Sequence, residues 1–294
     1  MTYSIVAFDP DTGDLGIGVQ THQPGVGRIV PWIKRGVGAV ATQASVNTAY
    51  GPQGLGLLES GLTPDQAMAA ILAADADREI RQVAIMSPRG DVATHTGTNT
   101  IPFAGHQAGE NFSVQANMMT KDTVPGAMAA AFTGSSGALP ERILVALEAA
   151  QAEGGDIRGS QSAAILVRGP SYPAHIDLDI RVDNSAAPLV DLRKLVELYA
   201  AQRELGKVTA ESLAGKPPAE ALAAAMAAHA AAQAQYPSDE ATFWFGVRTL
   251  HAAGFTGEAA GLLAPLFGRA PQWRDLLHRL PMPGLDALKA HFRG

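Results

Sequence analysis

The chain has 294 residues, a formal net charge of −6 and 47% hydrophobic residues. That length and apolar content allow a sizeable core and exclude a disordered chain. The acidic balance, without any dense Lys/Arg run, argues against a nucleic-acid partner. There is no cysteine, which removes disulfides, thiolate metal sites and thiol nucleophiles together. No apolar run approaches the roughly 18 residues of a membrane span.

The opening MTYSIVAFDP has no basic region and no long apolar stretch, so it reads as a strand and not as a signal peptide. Within it Tyr3, Ile5 and Ala7 alternate with Ser4, Val6 and Phe8, up to the turn cluster Asp9 to Asp14. Leu15 to Gln20 returns as a second strand, which makes a hairpin. Ile29 to Ile33 and Val37 to Gln43 read as two more strands. Tyr50 to Ser60 then changes to helical spacing. Thr63-Pro64-Asp65-Gln66 predicts a helix start, with Thr63 as N-cap, Pro64 at the first helical position and Gln66 closing a capping box.

Strands return at Gln82 to Met86 and Val92 to His95, around the turn Pro88-Arg89-Gly90. Ile101 to Phe103 and Phe112 to Gln115 read as short strands. Two helices follow, Val124 to Phe132 and Pro140 to Ala152, the second ended by Gly154-Gly155. Ser162 to Val167 and His175 to Val182 form a last hairpin. Strands apolar on both faces fit sheets buried on both sides, and the βαβ alternation of a nucleotide-binding fold is absent.

After about Val182 the composition becomes helical and Ala-rich. Residues 188 to 205 read as a helix, Gly215-Lys216-Pro217-Pro218 as a linker and Ala219 to Gln235 as a further helix. Trp244, Ala260 and Pro271, with Gly254 as a break, have the offsets of one tetratricopeptide-like helix pair. The expected division is residues 1–205 and a helical extension, 206–294.

Several chemistries lack their motifs. Asp9-x-Asp11-x-Gly13-Asp14 begins like a calcium loop, but the position of the bidentate Glu holds Gln20. The eight His residues show no HxH or HExxH pairing, and no GxSxG elbow is present. What stands out is neutral polar residues set into apolar strands: Gln43, Ser45 and Asn47 at one strand end, Gln115 and Asn117 at another. Buried amides need partners, so several together point to a shared polar pocket. His22 and His95, each at a strand end, are candidates for its lining. Arg158 either pairs with Asp156 or offers a fixed positive charge to a substrate carboxylate or oxyanion.

MTYSIVAFDPDTGDLGIGV, GVGAVATQASVN-x-x-YGPQGL, HTG, FSVQANMM and GGDIRGSQSAAILV, in this order, resemble the domain-of-unknown-function family numbered 1028 over roughly residues 1 to 200. The helical tail also resembles an extension carried by some members. The resemblance implies an α+β fold, a four-layer αββα sandwich like that of the N-terminal-nucleophile (Ntn) hydrolases, followed here by the helical extension. It also implies a mechanism in which the first residue of the mature chain is the nucleophile and its α-amine the general base. With Met1 removed, that residue is Thr2. Ser4, on the same strand face, would orient the amine or replace Thr2 as the reactive hydroxyl. Asn117 or Gln115 would stabilise the oxyanion, and Arg158 would lower the amine pKa or hold substrate.

The expected activity is hydrolysis of a non-peptide or peptide-like C–N amide or imide bond in a small molecule, without a cofactor or metal. The alternative is a non-catalytic protein on the same scaffold that binds a small molecule or peptidoglycan fragment. Hydrolysis by Ser or His without the N-terminus is a third reading. A cytoplasmic homo-oligomer, with no nucleic-acid or membrane partner, is expected.

Overall fold

The computed structural model describes residues 2–172 and 177–293. It divides into two compact units, with the boundary between Val196 and Glu197. The first opens with the expected hairpin, β1 (Thr2–Asp9) and β2 (Asp14–Thr21), followed by β3 (Pro31–Lys34) and β4 (Gly38–Ala44). Helices α1 (Tyr50–Glu59) and α2 (Pro64–Ala73) come next, then β5 (Arg81–Met86), β6 (Val92–Thr96), β7 (Gly105–Gly109) and β8 (Phe112–Asn117). Helices α3 (Val124–Gly134) and α4 (Leu139–Ala152), strands β9 (Ser162–Arg168) and β10 (Leu178–Val182), and helix α5 (Pro188–Gly206) follow. His175, the expected start of the last strand, lies outside the described residues, as does Met1.

All pairings are antiparallel. One sheet has six strands in the order β10-β9-β2-β1-β8-β7, the other four in the order β3-β4-β5-β6. Alternation along β1 divides its side chains between two cores. Tyr3, Ile5 and Ala7 join Met128, Ile143, Leu144 and Leu147 of α3 and α4. Val6 joins Ile17, Val19, Ala41, Ala84 and Met86 between the sheets. A third core sets Val40, Val83 and Ile85 against Leu55, Leu58, Met68 and Ile71 of α1 and α2. The layers therefore run helices, sheet, sheet, helices, with both faces of each sheet covered.

Local signals at the helix ends hold. Thr63 Oγ1 accepts from the Gln66 N–H while Gln66 Oε1 accepts from the Thr63 N–H, the reciprocal cap expected from the sequence. Three strand readings shift. β3 starts at Pro31, because Val26–Arg28 forms a 3-10 turn first. Residues 101–103 form no strand: Pro102 has no N–H to donate, and Phe103 has φ +24. Only the carbonyls of Ile101 and Phe103 pair, accepting from the Met118 and Met119 N–H groups. The strand there is β7, whose Gly-His-Gln-Ala-Gly carries no β-branched residue and forms by pairing with β8.

The second unit is helical: α6 (Ala210–Leu213), α7 (Pro218–Gln235), α8 (Asp239–Trp244), a π-helical segment Phe245–His251, α9 (Thr256–Arg269), α10 (Gln272–Arg279) and α11 (Asp286–Ala290). Phe243, Leu250, Leu263 and Leu266 fill its core, with Trp244 and Trp273 packed against it. Gly254, at φ +91, breaks the chain before α9 as expected. Among the described residues no helix is long and apolar enough to cross a membrane.

Candidate functional site

Strand register brings the polar residues to one end of the inter-sheet layer. Thr2 lies opposite Thr21 of β2 on one side and Asn117 of β8 on the other. The Thr2 side chain shares its face with Ser4 and Val6 and so points between the sheets. Thr2 is 5% exposed, and its Oγ1 donates to Thr21 Oγ1 at 3.2 Å. Across the gap, β4 and β5 place Gln43 directly opposite Gln82.

These amides converge on the first strand. Asn117 Nδ2 and Gln43 Nε2 both donate to the Thr2 carbonyl oxygen, at 3.2 and 3.3 Å. The same two nitrogens donate to Gln82 Oε1, at 2.8 and 2.7 Å. Gln43 Oε1 is buried without a hydrogen-bond partner among the described residues. Such an acceptor is costly to leave unmet and is a ready contact for a ligand donor. Immediately after these amides the backbone enters the left-handed region at two non-glycine residues, Ala44 (φ 68) and Met118 (φ 57). Strain of this kind is held in place by surrounding structure.

A loop from the end of α4 closes over the head of β1. Gly154 (φ +124) and Gly155 (φ +59) turn the chain there. Asp156 then pairs with Met119 in an isolated bridge, and its Oδ2 accepts from the His22 N–H at 3.3 Å. Arg158 grips the fully buried Asp156 carboxylate with two prongs, Nε to Oδ1 at 3.1 Å and Nη2 to Oδ2 at 2.7 Å. The pairing compensates a charge that could not otherwise be buried. His22 lies beside this loop, and its Nδ1 is buried without a partner among the described residues. Tyr3, on the opposite face of β1, donates its hydroxyl to Gln151 Oε1. Burial first, and the Asp156 charge second, push its phenol well above the ordinary range.

Thr2, His22, Gln43, Asn117 and Arg158 are thus gathered at one end of β1. Ser4 and Gln115 sit one step further in and are occupied with each other: Ser4 Oγ donates to Gln115 Oε1 at 2.9 Å, and Gln115 Nε2 donates to Ser113. Three candidates lie elsewhere. Ser45 and Asn47 belong to a cluster around Asp75, which accepts from Arg81, Tyr50 and Asn47 while Arg81 also holds the Ser45 carbonyl. His95 faces the helix side of β6 and bonds the Arg78 carbonyl through Nε2. Gln82 and Thr21 were missed. The available signal for Gln82 was its position, a polar residue at the head of an apolar strand paired with the one that carries Gln43.

An open cleft of about 570 Å³ lies further along, between β7 and the start of α3, lined by Gln107, Thr123, Gly126 and Glu153 among others. It is on the helix side of the six-stranded sheet, whereas the Thr2 side chain is on the other. Among the described residues no three His, Asp or Glu side chains converge as a metal ion would require.

Comparison with known proteins covers the same part of the chain. The family of unknown function DUF1028 matches residues 2–192. The crystal structure of protein SPO2555 from Silicibacter pomeroyi, assigned to the same family, is similar at 32% identity with a TM-score of 0.62, over 67% of this chain and 88% of that one. No curated protein matches. The match across residues 2–192, with the similar solved structure, makes this chain a member of the DUF1028 family.

Proposed function

We propose that the chain is an amidohydrolase on an Ntn-hydrolase-like scaffold, with Thr2 as nucleophile once Met1 is removed. The observation that carries this reading is the double clamp on Thr2: Asn117 and Gln43 both hold its carbonyl, at the head of a central strand and inside a polar chamber. Any buried strand-end carbonyl needs one partner; two side-chain amides converging on the same carbonyl single Thr2 out.

In the proposed reaction Thr2 Oγ1 attacks the substrate carbonyl carbon and passes its proton to the freed Thr2 α-amine. An α-amine with a pKa near 8 suits that role at neutral pH. The C–N bond then breaks, the proton leaves with the amine product, and water hydrolyses the Thr2 ester. Each Asn117 Nδ2 proton has a partner at rest. The longer bond, 3.2 Å to the Thr2 carbonyl, is the one a developing oxyanion would take over, while Gln82 retains the other.

Intact mass of purified protein comes first, followed by turnover of a panel of small amides, lactams and imides. Mature protein is expected to begin at Thr2. Thr2→Ala should reduce turnover to background, Thr2→Ser should retain part of it, and Asn117→Ala should cost about 10²–10³-fold in kcat. Active protein that keeps Met1 would rule out the amine mechanism. Saturable binding of a panel compound without turnover would favour the non-catalytic reading.

A further inference from the structure

We infer that Gln82, on the sheet that does not carry Thr2, is the positioning residue of the site: it dictates which way the Asn117 and Gln43 amides face. The inference rests on the reading of Thr2 as the reactive residue.

Gln82 is fully buried at the start of β5. Its Nε2 lies 2.8 Å from Thr96 Oγ1, 3.0 Å from the Ala116 carbonyl and 3.1 Å from the Gly105 carbonyl. Two of these partners can only accept, so this end of the amide must be the NH₂ group. The other end is then the oxygen, and it accepts from Asn117 and Gln43 together. Those two residues must in turn present NH₂, which is what the Thr2 carbonyl requires of them. The remaining consequence falls on Gln43: its oxygen is turned away from Gln82 and left as the unmatched acceptor.

Without Gln82 the two amides would compete for the Thr2 carbonyl alone, over their longer bonds of 3.2 and 3.3 Å. Gln82 also joins the sheets, because its partners lie on β4 and β6 of its own sheet and on β7 and β8 of the other. One neutral side chain therefore couples the stacking of the two sheets to the orientation of the groups around Thr2.

Gln82→Met and Gln82→Glu test this. Gln82→Met removes both ends of the bridge. It should lower kcat about 100-fold, the order expected of a misplaced catalytic group, with KM unchanged. The side-chain NH₂ resonances of Asn117 and Gln43 in ¹⁵N NMR should lose their protection from exchange while backbone amides of β1 and β5 keep theirs. Gln82→Glu keeps the accepting oxygen, but its second oxygen faces two carbonyls and fits only when protonated. Relative to the wild type at the same pH, its activity should therefore be retained at about pH 5–6, where the α-amine base is mostly protonated in both proteins, and should be lost by about pH 10, above the range in which a carboxyl can hold a proton even when buried. The wild-type profile serves as reference.

Unchanged NH₂ protection in Gln82→Met would overturn the inference, as would a Gln82→Glu profile that parallels the wild type. If Gln82→Met does not fold, the Gln82→Glu profile decides. If wild-type protein turns over no amide, the Thr2 reading falls, whereas the NH₂ protection of the two amides still decides whether Gln82 orients them.

Discussion

At the scale of single residues, the strongest electrostatic feature outside the Thr2 site is Asp75. The Arg81 guanidinium, and after it the Tyr50 hydroxyl, hold its carboxyl far below the ordinary value of 3.8. The folded state thus binds this proton more weakly than the unfolded state. The resulting stability is fully present above about pH 4 and is lost as pH falls through the depressed folded value. Asp75→Asn is expected to cost about 2 kcal/mol at neutral pH, the range for hydrogen bonds to a charged group. It should also flatten the loss of stability between about pH 4 and about pH 2; urea melts at several pH values measure both, and an unaltered acid limb would assign that loss to other carboxyls. The same cluster explains why Ser45 and Asn47 left the pocket in which their spacing with Gln43 had placed them. Alternation holds only while the backbone stays extended, and Ala44, at φ 68, ends it. His95 misses the inter-sheet layer for a simpler reason: its neighbour Thr96 takes the inward position, bonding Gln82 and His106 Nδ1.

At the scale of elements, the approach of α4 to the six-stranded sheet is set by what β2 lacks. Gly16 and Gly18 face the helix, and a Cβ on Gly18 would overlap Ile143 and lie 3.1 Å from Leu147 Cδ1. Gly18→Ala should therefore destabilise the first unit by about 1–3 kcal/mol through overpacking. Thermal unfolding checks it, and a variant as stable as the wild type would mean that α4 can move outward at little cost. Elements with strong local signals were legible: the first hairpin from its alternation and turn cluster, α2 from its cap. Strand β7 was not, because Gly-His-Gln-Ala-Gly has weak strand propensity and is extended only by its bonds to β8.

At the scale of the molecule, α5 begins with Leu189, Leu192 and Val196 in the core of the first unit. Its last turns contribute Ala201 and Leu205 to the core of the second. Among the described residues, the three cores of the sandwich draw on none beyond Val196. A chain ending at Gly206 is accordingly expected to keep cooperative unfolding and the hydrogen-bonded amides around Thr2. Collapse of that truncated chain into an aggregate or a non-cooperative state would show that the sandwich depends on the helical unit. Hydrophobic period, caps and turn residues, each acting over a few positions, determined by themselves the helical tail and the order of the elements other than β7, while the two-sheet sandwich was implied by the family resemblance. The same local patterns also marked Gln43 and Asn117 as polar residues set into apolar strands, whereas Thr2 was singled out by the resemblance. Only the tertiary structure decided that Gln43 and Asn117 meet at both the Thr2 carbonyl and Gln82, and that Ser45, Asn47 and His95 do not join. The reason is physical: local propensity acts between near neighbours, whereas this chamber exists only where one sheet stacks on another and the chain leaves it through Ala44 and Met118.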